Sequence, residues 1–96
     1  MQIWLLPIRI RLLFSKKITM DEYQYRCIKA AINEVASLER DGYKLESFSN
    51  SIAWWMRFLK HPNGNTALVE MSPNRDCLRV WINSKEKKCQ NFGVSI

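Results

Sequence analysis

Between Ile52 and Ile82 apolar side chains recur at every second position, and a proline–asparagine pair interrupts the recurrence twice, at Pro62-Asn63 and Pro73-Asn74. Alternation with a period of two marks strands with one buried face. Proline cannot donate a ladder hydrogen bond, so each pair marks a turn. The segment is expected to form consecutive antiparallel strands. In the first, Ile52, Trp54, Met56 and Phe58 form an unbroken apolar face, and Ala53, Trp55, Arg57 and Leu59 a mixed one. The turn "HPNGN" then decides the register. A two-residue Asn63-Gly64 turn would leave Pro62 in a pairing position, and a three-residue loop ending in a Gly64 bulge would aim Glu70 at the core. A four-residue loop, Pro62 to Asn65, puts proline at the second position of a type I turn and keeps the apolar faces aligned. It pairs Met56 with Met71 and Phe58 with Val69. The turn "SPNRDC" repeats the device and pairs Met71 with Leu78, Val69 with Val80 and Ala67 with Ile82.

The same registers define the opposite face as rows: Trp55–Ser72–Cys77, Arg57–Glu70–Arg79 and Leu59–Leu68–Trp81. Opposite charges across neighbouring strands contribute a few tenths to about 1 kcal/mol. One carboxylate between two guanidinium groups still leaves the row positive. Trp55, Arg57, Arg79 and Trp81, with Leu59 and Leu68, are the candidate partner-binding residues. Tryptophan and arginine are enriched at interface hot spots, and they also stack on bases and pair with phosphates. The plainer alternative is a face closed by the chain itself or by a second copy, as a homodimer.

Upstream, Ile8, Ile10 and Leu12 alternate with Arg9, Arg11 and Leu13, which reads as a strand that Pro7 begins or places at a sheet edge. Thr19-Met20-Asp21-Glu22 is a capping box with Ile18 and Tyr23 at the staple positions. The spacing predicts a helix from Met20 to Arg40, ended by Gly42 in the left-handed C′ position. Met20, Ile28, Ala31, Ile32, Val35 and Leu38 share its apolar face. Tyr43 and Leu45 then open another strand. Residues 1–96 read as a single small α+β domain: a mostly antiparallel sheet of about five strands with one long helix on one face, connected β-α-β-β-β-β. Residues 84–96 form either a loose basic tail or an edge strand.

With 47% apolar and 25% charged residues the chain belongs to the globular class. Its net charge of +6 favours acidic partners. Arg9, Arg11, Lys85, Lys87 and Lys88 are candidate secondary basic contacts. Cys27, Cys77 and Cys89 are odd in number and widely spaced, which excludes a complete disulfide framework and gives no zinc-ligand spacing. A reducing cytoplasmic setting is expected. The run "IWLLPIRIRLLF" has arginines inside it and is too short to cross a bilayer, so no membrane association is expected.

Nothing in the chain groups residues for catalysis. His61 is the sole histidine and reads as a turn residue before Pro62. Glu39 and Asp41 read as charges at a helix end. No cofactor or metal motif is present, and no RNP motif, GXXG loop or helix-turn-helix pattern. "LERDGYKLESF" followed by "RFLKHPNGNT" resembles the helix–strand–hairpin opening of HicA-type RNA-cleaving toxins. Those toxins carry a Gly-Ser-His ahead of the second strand, whereas "SNSIAWW" here holds no histidine. The expected function is a non-catalytic binding module that docks on an acidic partner such as a nucleic-acid-handling protein complex. Small inhibitors encoded by phages and mobile elements share this profile. The alternatives are an RNA- or single-stranded nucleic-acid-binding domain and, behind it, a small RNA-cleaving toxin-like enzyme.

Overall fold

The computed structural model describes residues 22–93. The expected N-terminal strand, the Thr19 cap with Met20, and Arg9 and Arg11 lie outside the described residues. Helix α1 spans Glu22–Arg40. It ends where Gly42 was expected to end it, in a Schellman motif: the Gly42 N–H donates to the Glu39 carbonyl (3.1 Å) and the Tyr43 N–H to that of Leu38 (3.0 Å). Gly42 takes φ +105°, and a Cβ there would stand 2.7 Å from His61 Nε2, so glycine is required twice over.

Five strands follow as an antiparallel meander, each hydrogen-bonded to the next: β1 Lys44–Asn50, β2 Trp55–Lys60, β3 Thr66–Met71, β4 Cys77–Ile82 and β5 Lys85–Asn91. The helix packs across one face, chiefly over β3 and β4. Beneath it lie Leu59, Ala67, Val69, Met71, Leu78 and Val80, against Cys27, Ala31 and Leu38 of α1. Because the helix axis runs over β3 and β4, its flank above β1 and β2 stays uncovered among the described residues. Ile32, expected in the core, is accordingly 55% exposed. Cys27 takes a core place instead, as a small apolar side chain that fits close to the sheet. No helix among the described residues is long and apolar enough to cross a membrane.

The β3–β4 register is the expected one, with Met71 opposite Leu78, Val69 opposite Val80 and Ala67 opposite Ile82. The β2–β3 register is not. Trp55 stands opposite Met71, Arg57 opposite Val69 and Leu59 opposite Ala67, one residue away from the expected pairing. The connection is a three-residue loop closed by His61 N–H to the Asn65 carbonyl (2.8 Å), with Gly64 at φ +100°. Glu70 is not turned inward by this loop; β2 is the strand whose faces exchange. His61 supplies the physical reason. In this register its ring lies on the helix side, where Nδ1 accepts the Asn63 N–H (3.1 Å), so Nε2 carries the proton and donates it to the Asp41 carbonyl (3.1 Å). The ring also meets Tyr43 edge-on, with centroids 5.1 Å apart. The histidine thereby ties the β2–β3 turn to the end of α1, a bond the four-residue loop would point away from the helix.

The segment after Ile82 is a paired edge strand. Asn83 and Ser84 both have positive φ (51° and 68°), the geometry of a two-residue type I′ hairpin turn. The edge strand is Lys85–Asn91. Every residue of β5 is exposed, and its lysines suit an edge that must not pair with another chain. Lys88 stands opposite Val80 on the helix side and forms an ion pair with Glu34 of α1.

Candidate functional site: the outer face of the sheet

The exchange of faces in β2 rebuilds the surface opposite the helix. Trp81, Leu68 and Arg79 lie on it as expected. Trp55, Arg57 and Leu59 do not, because they share the phase of the core residues Val69 and Ala67. Leu59 is fully buried. In their place the outer face carries Met56 and Phe58, with Trp54 just ahead of the strand. Met56 lies opposite Glu70, and Phe58 opposite Leu68, which faces Trp81. These side chains make one apolar, largely aromatic stripe over β2, β3 and β4. All are partly solvent-accessible, and Trp54 is 45% exposed. Period-two apolarity alone could not find them, since both faces of β2 are rich in apolar residues, and the contact that separates the two phases, His61 with Asp41, is tertiary.

Arg57 has a different task. Its guanidinium lies 4.2 Å from the Trp55 ring centroid and 5.2 Å from that of Phe48. Nη1 donates to the carbonyls of Ser49 (3.2 Å) and Met56 (3.0 Å), and Nη2 to Asn50 Oδ1 (2.8 Å). Burial lowers its pKa from the ordinary arginine value. The residue staples the β1–β2 hairpin on the helix side, where Trp55 and Arg57 border a shallow concavity with Ile32, Val35, Ala36 and Glu39.

At the centre of the outer face stands Glu70. Its Oε1 accepts the indole N–H of Trp54 (2.9 Å) and its Oε2 that of Trp81 (2.7 Å). Trp81 is fixed by its strand. Trp54 is fixed by a short serine-rich turn, in which Ser51 Oγ accepts the N–H groups of Ala53 (3.0 Å) and Trp54 (3.3 Å) while Ser49 Oγ donates to the Trp54 carbonyl (2.9 Å). Arg75, reaching over from the β3–β4 turn, donates to the carbonyls of Ser51 (3.2 Å) and Ile52 (3.3 Å) and clamps that turn. Arg75 drew no attention in the sequence, because its role depends on two turns that are distant along the chain.

The expected Arg57–Glu70–Arg79 row is absent, since Arg57 is on the other side of the sheet. Arg79 does stand opposite Glu70. Its pKa is held above the ordinary value by a hydrogen bond with Cys89 and by the charges of Cys89, Glu86 and Cys77, all toward β4 and β5. The ion pairs among the described residues are Arg26–Glu22 and Lys88–Glu34. Glu70 takes part in neither. Two concavities flank its carboxylate. One, of about 320 Å³, is lined by Phe58, Thr66, Leu68, Trp81 and Ser84. The other, of about 280 Å³, lies between Trp54, Pro73, Cys77 and Arg79.

The proposed secondary basic contacts do not gather on this face. Lys85 lies opposite Ile82 and Lys88 opposite Val80, both on the helix side, and Lys87 sits at the irregularity between the two pairings. The basic residues at the margin of the outer face are Lys44 and Lys60, paired with each other across β1 and β2, and Arg79. Among the described residues no cluster of histidine, cysteine or carboxylate side chains could hold a metal ion. Comparison with protein families, curated proteins and solved structures gave no match.

Proposed function

We propose that this chain is a non-catalytic binding module that docks a partner protein through the outer face of its sheet. One observation carries the reading: the stripe of Trp54, Met56, Phe58, Leu68 and Trp81 runs across three strands on the side the helix leaves open, with no described residue over it. Aromatic side chains held rigidly at the centre of a surface are the usual anchors of an interface. The net charge of +6, with Lys44, Lys60 and Arg79 at the margin of the stripe, favours encounter with a surface that is acidic around its rim. A nucleic-acid-handling protein complex has that character, and a small inhibitor of such a complex is the physiological role this reading suggests. A single-stranded nucleic acid is the second reading, favoured by the aromatic rings on an open sheet beside those cations. The carboxylate at the centre weighs against it, because phosphates avoid a fixed negative charge.

Phe58→Ala tests the proposal. Proteins captured from source-cell lysate are compared for the immobilised wild type and the variant, with and without nuclease. A partner that resists nuclease and is lost with Phe58→Ala supports protein docking. Capture that nuclease abolishes, together with oligonucleotide binding that weakens steeply with salt, transfers the site to nucleic acid. A wild-type dimer that Phe58→Ala converts to monomer in sedimentation assigns the face to self-association.

A further inference from the structure

We propose that Glu70, held between the indoles of Trp54 and Trp81, is the receptor for one arginine side chain projecting from the docked partner. The inference rests on the protein-docking reading and gives that surface its central contact. A carboxylate offers roughly four lone-pair positions. Two are used here, one on each oxygen, by neutral N–H donors at 2.9 and 2.7 Å. Those donors orient the carboxylate without cancelling its charge. No ion pair among the described residues does so either, in a chain that carries fifteen lysines and arginines against nine acids. Arg79 stands opposite Glu70 in the ladder, but no ion pair among the described residues joins the two.

The surroundings match a planar cation. The indole ring of Trp81 and the phenyl ring of Phe58 line the concavity that opens beside the carboxylate, and Trp54 closes the other flank. Aromatic faces attract a cation electrostatically, most strongly where water is partly excluded. A guanidinium can stack on a ring while it pairs with carboxylate oxygens, and it is less strongly hydrated than an ammonium group. A volume of about 320 Å³ has room for such a head group with its last methylenes. The margin of the face is mixed, with Lys44, Lys60 and Arg79 beside Glu86, which lies opposite Trp81. Glu70 is the anion set among the aromatic rings, and it calls for one cation there. That arrangement fixes the orientation of the partner, since any acidic group placed over Glu70 would be repelled.

The test uses the full chain, labelled with nitrogen-15, and the indole N–H resonances of Trp54 and Trp81 as reporters. The probes are N-acetyl-arginine amide, its neutral isostere N-acetyl-citrulline amide, and N-acetyl-lysine amide. Saturable shifts of both indole signals with the arginine probe are expected. The citrulline probe should give none. Glu70→Gln removes the charge and keeps an acceptor oxygen for only one of the two indoles. It should weaken the arginine response at least tenfold while the rest of the spectrum stays dispersed, and the citrulline probe on the wild type separates the loss of charge from the loss of that indole bond. Equal shifts with citrulline, or an arginine response that survives Glu70→Gln, would overturn the charge pairing. A lysine response equal to that of arginine would overturn the choice of guanidinium. Failure of the inference is distinct from failure of the docking reading: a partner lost with Phe58→Ala but retained by Glu70→Gln leaves docking in place and removes the receptor.

Discussion

Replacing Leu59 by alanine tests the β2 register, on which the whole outer face depends. Leu59 is fully exposed to the core and closed to solvent, opposite the small Ala67, and it is one of the largest completely buried side chains. The change removes three carbon atoms, or roughly 2.4 kcal/mol of transfer free energy at about 0.8 kcal/mol each. A residual cavity adds to this, because backbone pairing on both sides of β2 prevents collapse, and the expected total is about 3–4 kcal/mol. A domain of this size has about 5–10 kcal/mol of stability in all. With a urea dependence of roughly 1–1.5 kcal/mol per molar, the unfolding midpoint should fall by about 2–4 M. Phe58 is the control next door. It lies on the open face, and Phe58→Ala should cost about 1 kcal/mol, the ordinary price of a partly exposed substitution. Equilibrium urea unfolding of the two variants, followed by circular dichroism, reads the difference. A Phe58→Ala penalty equal to or larger than that of Leu59→Ala would refute the register and return Trp55 and Arg57 to the outer face.

Arg57→Lys should destabilise by about 1–2 kcal/mol, because an ammonium group can neither stack between Trp55 and Phe48 nor reach Ser49, Asn50 and Met56 together; a variant of unchanged urea midpoint that loses the partner would instead place Arg57 in the recognition surface. The Cys27 thiol is pushed up to about 11 from 9.0, by burial first and then by Cys77 and Asp76. A folded-state pKa above the unfolded one stabilises fully below about pH 9 and is lost as pH rises through about 11, so the urea midpoint should fall over that window in the wild type and less in Cys27→Ala. In the native protein the exposed Cys89 should react with a thiol reagent well before the buried Cys27, and comparable rates would show that the helix opens from the sheet.

The helix over Glu22–Arg40 and its stop were legible locally, because a 3.6-residue apolar period and a glycine at C′ are properties of neighbouring residues. So was the β3–β4 pair: Leu78, Val80 and Ile82 alternate with Arg79 and Trp81, so both its phase and its four-residue turn are specified within the segment. The positions of Leu68, Arg79 and Trp81 on the outer face followed from that. β2 lacks such a contrast. Trp54, Met56 and Phe58 on one side and Trp55 and Leu59 on the other are all apolar, and Arg57 does not break the tie, since its stem and planar head can lie on aromatic rings. What separated the two phases was the helix, docked over β3 and β4, with its final turn close enough for Asp41 to accept from His61. The same docking left Ile32 in solvent and drew Cys27 inward. The indole–carboxylate–indole group is tertiary for the same reason. Its members come from the turn before β2, from β3 and from β4, and two of them meet only when β2 presents Trp54, and not Trp55, to the open side. Local chemistry sets elements and turns, whereas the face a strand shows is a property of what packs against it, and here that was decided by one helix and one histidine bond.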